Sequence, residues 1–423
     1  QVSREEASSV GQLVGQAVAG LAEFQIAQRI GIFAAHGGEP DTRPLFDQIV
    51  AAGKCALLPR CLAGGRMNFA YVEHWNELVP GRFGILDTWS CRLDVLVLTS
   101  RPDKPSYRYR VEALLPGLAD RGINVRVLFT RDMGRWRFRR YLDCSGFDTV
   151  LIQKRILRPL DRFLLRRVAR GVVFDFDDAV GFDSEGRPRP RMQKRLAAMA
   201  RFADHITCGN NYLASLLGTS DKKVTVVPTS IDTDRFAPRK ETTADSSTRV
   251  VVGWIGSRAT LGYLDQVLPV LADIKGIVLK VVADSSDSLH LDRLGDTPFE
   301  FESWSAETEV DQTASFDIGI MPLPDNDFTR GKCGCKALQY MAMGLPTICS
   351  PVGMNCELVQ PGINGLLAGS LDEWGRSLQR LVDDVVLRRQ IGKHGRRHVI
   401  EHFSVATAVE QMGDVFEHVA RAA

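Results

Sequence analysis

Between residues 93 and 238, short apolar runs alternate with amphipathic stretches. Asp94-Val95-Leu96-Val97-Leu98-Thr99 is almost continuously apolar and is followed by Arg101-Pro102. That is the pattern of a strand buried on both faces of a parallel sheet. Residues 109–121 carry a helical pattern that stops at Gly122, and Val125-Arg126-Val127-Leu128-Phe129 reads as the next strand. Apolar runs at 149–152 and 172–175 continue the series, and His205 lies inside another. Strands and helices alternating at this spacing predict a doubly wound parallel sheet. The polar stretch 239–249 reads as a linker, after which strands are expected at 250–255, 279–282, 318–321, 347–350 and 365–367. Residues 1–88 differ: a helical pattern over 10–32, a turn at 37–42, a second helix and a short strand at 55–59. The expected fold class is therefore α/β, with two Rossmann-like doubly wound domains facing a cleft, preceded by a small incomplete α/β segment. The boundaries are 1–88, 92–238, 249–400 and a C-terminal helix, 401–423, returning to the first domain. Sheets of this kind bind ligands at the C-terminal ends of their strands.

Composition narrows the function classes. A chain of 423 residues suits two to three domains. Hydrophobic residues make up 44% and charged residues 25%, both ordinary for globular protein. A net charge of +2 gives no reason to expect nucleic acid. There is no signal-peptide pattern and no apolar run long enough to span a bilayer, so a cytoplasmic location is expected. Nine scattered cysteines include no C-x-x-C pair, which suits free thiols better than a metal site. The charge is unevenly placed. Residues 131–170 hold 12 Lys or Arg against 4 Asp or Glu, interleaved with Trp136, Phe138 and Tyr141. This stretch is read as a peripheral membrane face, an anionic-acceptor surface or a plain solvated basic face. RNA is a poorer reading, because no base-stacking module accompanies it.

The richest chemistry lies in 331–346, Gly-Lys-Cys-Gly-Cys-Lys-Ala-Leu-Gln-Tyr-Met-Ala-Met-Gly-Leu-Pro. Glycines open it, helix formers follow, and Gly344 and Pro346 close it. Lys332, Lys336 and Gln339 are expected on one helix face. A helix N-terminus with glycines and lysines nearby suits a diphosphate. In the other domain, Arg108 and Arg110 of Ser106-Tyr107-Arg108-Tyr109-Arg110 stand where a phosphate or carboxylate could be held. A solvated helix entry is the alternative. Asp177 and Asp178 end the run Phe174-Asp175-Phe176-Asp177-Asp178, at a strand end where catalytic groups collect; helix capping is the alternative.

The segment 331–346, with Phe316-Asp317-Ile318-Gly319 before it and Gly362-Ile363-Asn364-Gly365 after it, resembles glycosyltransferase family 4, whose fold is GT-B. Residues 226–236 resemble the interdomain segment of that family, and the resemblance covers about 93–420. It implies transfer of a sugar from a nucleotide-sugar donor to a hydroxyl, with retention, without a metal and with no cofactor. The acceptor class it implies is a glycan, a lipid-linked molecule or a small molecule. It also implies donor contacts from Gly256, Ser257, Arg258, Gly331, Lys332, Gly334, Lys336, Gln339 and Glu357, acceptor contacts from Arg108 and Arg110, and a reaction centre near Asp177 and Asp178. Two departures stand out. The family's two acids are replaced by Gly331 and Gln339, and the loop Gly253-Trp254-Ile255-Gly256-Ser257-Arg258 lacks the usual lysine unless Arg258 substitutes. An amide can still bond a ribose hydroxyl but supplies no charge.

Residues 1–88 resemble the first half of 5-formyltetrahydrofolate cyclo-ligase. The residues carrying this are Gly38-Glu39-Pro40-Asp41-Thr42, Leu58-Pro59-Arg60-Cys61, Met67-Asn68-Phe69 and Gly81-Arg82-Phe83-Gly84. The resemblance places Glu39 and Met67 at a folate pocket. The Gly- and Tyr-rich loop for ATP phosphates does not follow. The expectation is an inactive appendage. Three functions are thus carried forward: a glycosyltransferase, a sugar-nucleotide-binding protein that has lost catalysis, and a folate cyclo-ligase.

Overall fold

The run that opens the first α/β repeat is a strand, Leu93–Thr99, with Val95, Leu96, Val97 and Leu98 all fully buried. In the computed structural model the described residues are 4–21, 27, 29–32, 41–61, 67–72, 75, 78–80, 86–88, 93–130, 143–218, 224–238, 249–287 and 289–422. They fall into two compact units, residues 1–93 with 120–124, and the remainder.

The N-terminal unit contains a helix, Arg4–Ala19, and a second helix, Arg43–Ala51. Strands β1 (Arg29–Gly31), β2 (Cys55–Cys61) and β3 (Met67–Val72) form one sheet, parallel between β1 and β2 and antiparallel between β2 and β3. Strands β4 (Leu78–Pro80) and β5 (Leu86–Thr88) form a separate pair. A small core of Ile32, Leu45, Phe46, Ile49, Ala56 and Leu58 holds the three-stranded sheet to its helix. The helical pattern over 10–32 is longer than the helix. It ends before Gly20, and Ile30 sits in β1, paired with Ala56. Apolar periodicity alone cannot tell a buried strand of three residues from another helical turn. Glu39 lies outside the described residues.

The second unit carries two six-stranded sheets. In the first, β6 (Leu93–Thr99), β7 (Ile123–Phe129), β8 (Thr149–Gln153), β9 (Gly171–Phe176), β10 (His205–Cys208) and β11 (Val224–Val226) are ordered β11-β10-β9-β8-β6-β7. In the second, β12 (Val250–Ile255), β13 (Ile277–Ala283), β14 (Phe299–Ser303), β15 (Ile318–Met321), β16 (Thr347–Cys349) and β17 (Leu366–Leu367) are ordered β14-β13-β12-β15-β16-β17. Neighbours in the second sheet pair in parallel throughout. The two doubly wound, Rossmann-like domains expected from the apolar rhythm are therefore present. Every residue of β8, β9 and β13 is buried, as a sheet covered on both faces requires.

The helix expected at 109–121 is broken. It runs as Pro105–Arg110, a 3-10 turn at Glu112–Leu114, and Leu115–Asp120. Pro116 has no N–H to offer the Glu112 carbonyl and its ring crowds that turn, but a proline is tolerated in the first turn of a new helix. The last helix, Val405–Ala422, lies against the first domain. An added Cβ on Gly171 would come within 2.4 Å of Val419 Cγ1, and one on Gly117 within 2.8 Å of Val409 Cγ2. The chain crosses back where Ile231 and Ser404 form a parallel bridge. No helix among the described residues is long and apolar enough to cross a membrane.

Candidate active site

The strand ends of the two sheets meet at charged residues. Lys154 immediately follows β8 and is the only non-glycine residue with positive φ (53°) among the described residues. A side chain in that region costs on the order of 1–2 kcal/mol, so surrounding contacts must hold it there. Its N–H donates to the Asp175 carbonyl at 2.7 Å. Its ammonium donates to Ser106 Oγ at 3.0 Å, lies 3.1 Å from Asp177 Oδ1 and pairs with Asp178. From the second domain, Lys332 Nζ reaches Asp178 Oδ1 at 2.8 Å and stands 4.3 Å from the centre of the Phe328 ring. Asp178 is thus held between two ammonium groups. Burial pushes its pKa up, but Lys154 and Lys332 outweigh burial and hold it below the usual carboxylate range. Burial pushes Lys154 down, and Asp177 and Asp178 outweigh that in turn, so its pKa is raised. At neutral pH the carboxylate is charged and can only accept hydrogen bonds.

The turn carrying Lys332 is built by its neighbours. Asn326 caps the helix Asp327–Arg330 by accepting from the Thr329 N–H, and its own N–H donates in return to Thr329 Oγ1. Gly334 then takes a left-handed conformation (φ 69°), and the next helix is Cys335–Ala342. Lys332 therefore lies in the turn before that helix, and only Lys336 and Gln339 share its face. The left-handed residue, which glycine adopts without penalty, separates the two. Gly353, with φ 55°, lies beneath the same turn; an added Cβ would come within 2.3 Å of the Arg330 carbonyl oxygen.

Lys336 has no carboxylate partner among the described residues. Its Nζ is 3.4 Å from Thr260 Oγ1 and 5.1 Å from the centre of a Trp254 ring. Burial, and then the charge on Lys332, push its pKa down to about 8. Gly256 hugs this side chain: an added Cβ would lie 2.5 Å from Lys336 Cε. Ser257 and Arg258 are exposed at the start of the short helix Arg258–Leu261, and the Arg258 N–H donates to Asp284 Oδ1 at 2.5 Å. Gln339 is buried and its amide donates to the Tyr109 hydroxyl at 2.7 Å. The amide expected at the ribose position is thus engaged with the first domain.

Further contacts close the cleft around these groups. Asn210 Oδ1 caps its own helix at the Leu213 N–H, while Nδ2 donates to the carbonyls of Arg330 (3.2 Å) and Lys332 (3.0 Å). The Cys333 thiol donates to the Asp177 carbonyl at 3.2 Å. Exposed Glu357 accepts from Asn211 Nδ2 at 2.8 Å. Gly331 packs on Ala179, where an added Cβ would meet the Ala179 Cβ at 2.6 Å. Gly209 is tighter still, because its Cβ would lie 2.2 Å from Cys333 Sγ. Gly209→Ala is therefore expected to destabilise the protein by about 1–3 kcal/mol, the usual range for overpacking. Denaturant unfolding checks this, and an unchanged midpoint would show that the thiol can move aside.

The structure brings Asp177, Asp178, Gly331, Lys332, Gly334, Lys336 and Gly256 together. Neither arginine forms a hydrogen bond or ion pair with any of these. Arg110 is fully buried, bonds both Asp175 oxygens (Nε–Oδ2 3.0 Å, Nη2–Oδ1 2.5 Å) and donates to the Val227 carbonyl at 2.7 Å. Arg108 pairs with buried Glu309 at 2.5 Å, which also takes Arg235 at 3.0 Å, and stacks near Tyr109 and Trp304. Both guanidinium groups are spent on carboxylates of the fold. His205 is likewise structural: its Nε2 is 2.8 Å from Thr225 Oγ1 and burial, with His418, lowers its pKa. Sequence reading missed Lys154. Its position, one residue past a fully buried strand, was the available signal.

Residues 249–384 match the family described as Glycosyl transferases group 1. Against curated proteins the sequence finds no match. The fold is shared with HepE of Anabaena in complex with UDP and glucose, at TM-score 0.60 and 16% identity, over 77% of this chain and 100% of that one. Sucrose-phosphate synthase from Thermosynechococcus elongatus aligns at TM-score 0.64 and 16% identity, over 78% and 100%. A glycosyltransferase from Rickettsia africae aligns at TM-score 0.59 and 13% identity, over 79% and 100%. The chain thus carries a glycosyltransferase group 1 domain, and its paired parallel sheets have the GT-B fold of these glycosyltransferases.

Proposed function

We propose that the chain transfers a sugar from a nucleotide-sugar donor to a hydroxyl, as a family 4 glycosyltransferase acting with retention and without a metal. The observation that carries this is the cleft itself: Lys332 at a glycine-lined turn pairs with Asp178, which Lys154 holds from the other side, and Lys336 follows on the next helix. HepE, seen with UDP and glucose, supports a nucleotide-sugar donor. In this reading Lys332 and Lys336 stabilise negative charge as it develops on the leaving diphosphate. The glycosyl group passes through an oxocarbenium-like state, so leaving-group stabilisation and proximity supply much of the rate. Lys332 is paired with Asp178, and a diphosphate would compete with that carboxylate for it. Asp178, with Asp177, then orients the acceptor hydroxyl. Ser257, Arg258 and Glu357 rim the donor side, and Gln339 addresses the ribose.

The acceptor is a glycan, a lipid-linked molecule or a small molecule. Peripheral membrane contact is part of the reading. It draws support from the helix Pro159–Val168, where Leu160 and Phe163 are exposed (53% and 55%) beside Arg162 and Arg167, with Arg167 4.6 Å from the Phe163 ring centre. Residues 131–142, including Trp136, Phe138 and Tyr141, lie outside the described residues. For 1–88 the reading remains an inactive cyclo-ligase-like appendage.

The test is Asp178→Asn, assayed with labelled UDP-, GDP- and ADP-sugars. Transfer is expected to fall by roughly 10²-fold or more. Donor affinity is expected to hold or rise, because a competing charge on Lys332 is gone. A variant that transfers at the wild-type rate would remove Asp178 from the reaction. Binding by the wild type with neither transfer nor hydrolysis would favour a sugar-nucleotide-binding protein, the reading that Gly331 and Gln339 support.

A further inference from the structure

Asp178 has two ammonium partners, and they come from different domains: Lys154 from the first and Lys332 from the second. A diphosphate that takes Lys332 leaves Asp178 with Lys154 alone. It also brings negative charge to a carboxylate that already shares Lys154 with Asp177. A partly buried carboxylate in that position either keeps a cation or takes up a proton. Among the described residues no third cation pairs with Asp178. Arg110 is spent on Asp175 and the Val227 carbonyl. Burial raises the pKa of Tyr263 and of Cys333, so neither is charged at neutral pH.

Lys154 is fixed by contacts that do not involve the donor side. Its backbone is left-handed (φ 53°), a conformation that glycine adopts freely and lysine does not. Such strain persists where surrounding contacts over-determine it, and it concentrates at functional sites. Here the N–H donates to the Asp175 carbonyl at 2.7 Å, and the ammonium donates to Ser106 Oγ at 3.0 Å and lies 3.1 Å from Asp177 Oδ1. All three partners belong to the first domain. The Lys154 ammonium is therefore held beside Asp178 independently of Lys332.

We propose that Lys154 is a positioning residue, which keeps Asp178 ionised and in place after the diphosphate has taken Lys332. This rests on the reading of the cleft as a sugar-nucleotide site and gives Lys154 a task in it. Lys154 acts through Asp178 and not on the donor. An ionised Asp178 only accepts hydrogen bonds, which is what orienting an acceptor hydroxyl requires. A protonated Asp178 would present a donor in its place.

The test counts protons. The full chain is titrated by calorimetry at about pH 6.5 with whichever of UDP, GDP or ADP binds the wild type, in buffers of different ionisation enthalpy. Lys154→Met is expected to take up about half a proton or more beyond the wild type on binding, because Asp178 loses its last cation. Adding Asp178→Asn to Lys154→Met should abolish the extra uptake. A role in stability alone would lower Tm without changing proton uptake. If Lys154→Met does not fold, Lys154→Gly carries the comparison, since glycine takes this backbone freely. Equal uptake in the wild type and the Lys154 variant, or extra uptake that survives Asp178→Asn, overturns the inference. Lys332→Ala separates the two levels. If it weakens diphosphate binding while the Lys154 variant takes up no extra proton, only this inference fails. If it does not weaken binding, or if the wild type binds none of the three, the reading of the site fails as well.

Discussion

Arg110→Met is expected to destabilise the protein by roughly 3–5 kcal/mol, the penalty for leaving one charge of a buried pair without its partner. Asp175 is completely buried at the end of β9 and takes both donors from Arg110. After the substitution, Thr207 Oγ1 at 2.7 Å remains its only side-chain donor among the described residues. The Val227 carbonyl also loses its partner. Adding Asp175→Leu is expected to recover a large part of the loss, because an apolar pair of similar volume has no charge to desolvate. Urea unfolding of the two single variants and the double variant gives the coupling directly. A loss below about 1 kcal/mol for Arg110→Met would mean that the guanidinium is not committed to the fold and could serve an acceptor after all.

Removing both Lys332 and Lys336 is expected to weaken nucleoside diphosphate binding by on the order of 10²–10⁴-fold, from two charge-assisted contacts at about 1.5–3 kcal/mol each. Lys336 also predicts a pH dependence. With its pKa near 8, it is charged below that pH and neutral above it. Diphosphate affinity should therefore fall as pH rises from about 7 to 9. Lys336→Ala should flatten that limb. Lys332→Ala should move it to higher pH, because the neighbouring positive charge that depresses Lys336 is gone. The sign for stability is opposite. The folded pKa lies below the ordinary lysine value of 10.5, so between about 8 and 10.5 the unfolded chain binds more protons. The unliganded protein should gain stability as pH rises through that window. Calorimetric titrations at several pH values check the first effect. An affinity that does not change over this range would mean that Lys336 does not meet the ligand.

Much of the fold was legible along the chain. Continuous apolar runs such as 94–99 and 250–255 announce buried parallel strands, and a polar stretch of sequence at 239–249 separates the two series. The glycine-rich turn was legible too, because Gly331, Gly334 and Pro346 punctuate it in a way only a tight turn and a terminated helix need. The breaks were harder to see. Pro116 splits a helix whose apolar period continues across it, and Gly334 removes Lys332 from the helix that its spacing suggests. In each case one backbone restriction overrides a side-chain pattern.

Local order along the chain therefore determined most strands of the two six-stranded sheets, the two domains and the presence of lysines at a glycine-rich turn. Only the tertiary structure decided which charges meet. Arg110 finds Asp175 at a distance of 65 residues, Arg108 finds Glu309 at 201, and Lys332 finds Asp178 at 154. A charge adopts whichever partner the packed core leaves nearest to it. That partner is set by how strand ends from separate parts of the chain are brought together. The same packing tied two candidate acceptor arginines to carboxylates of the fold, and set Lys154 beside Asp177 and Asp178.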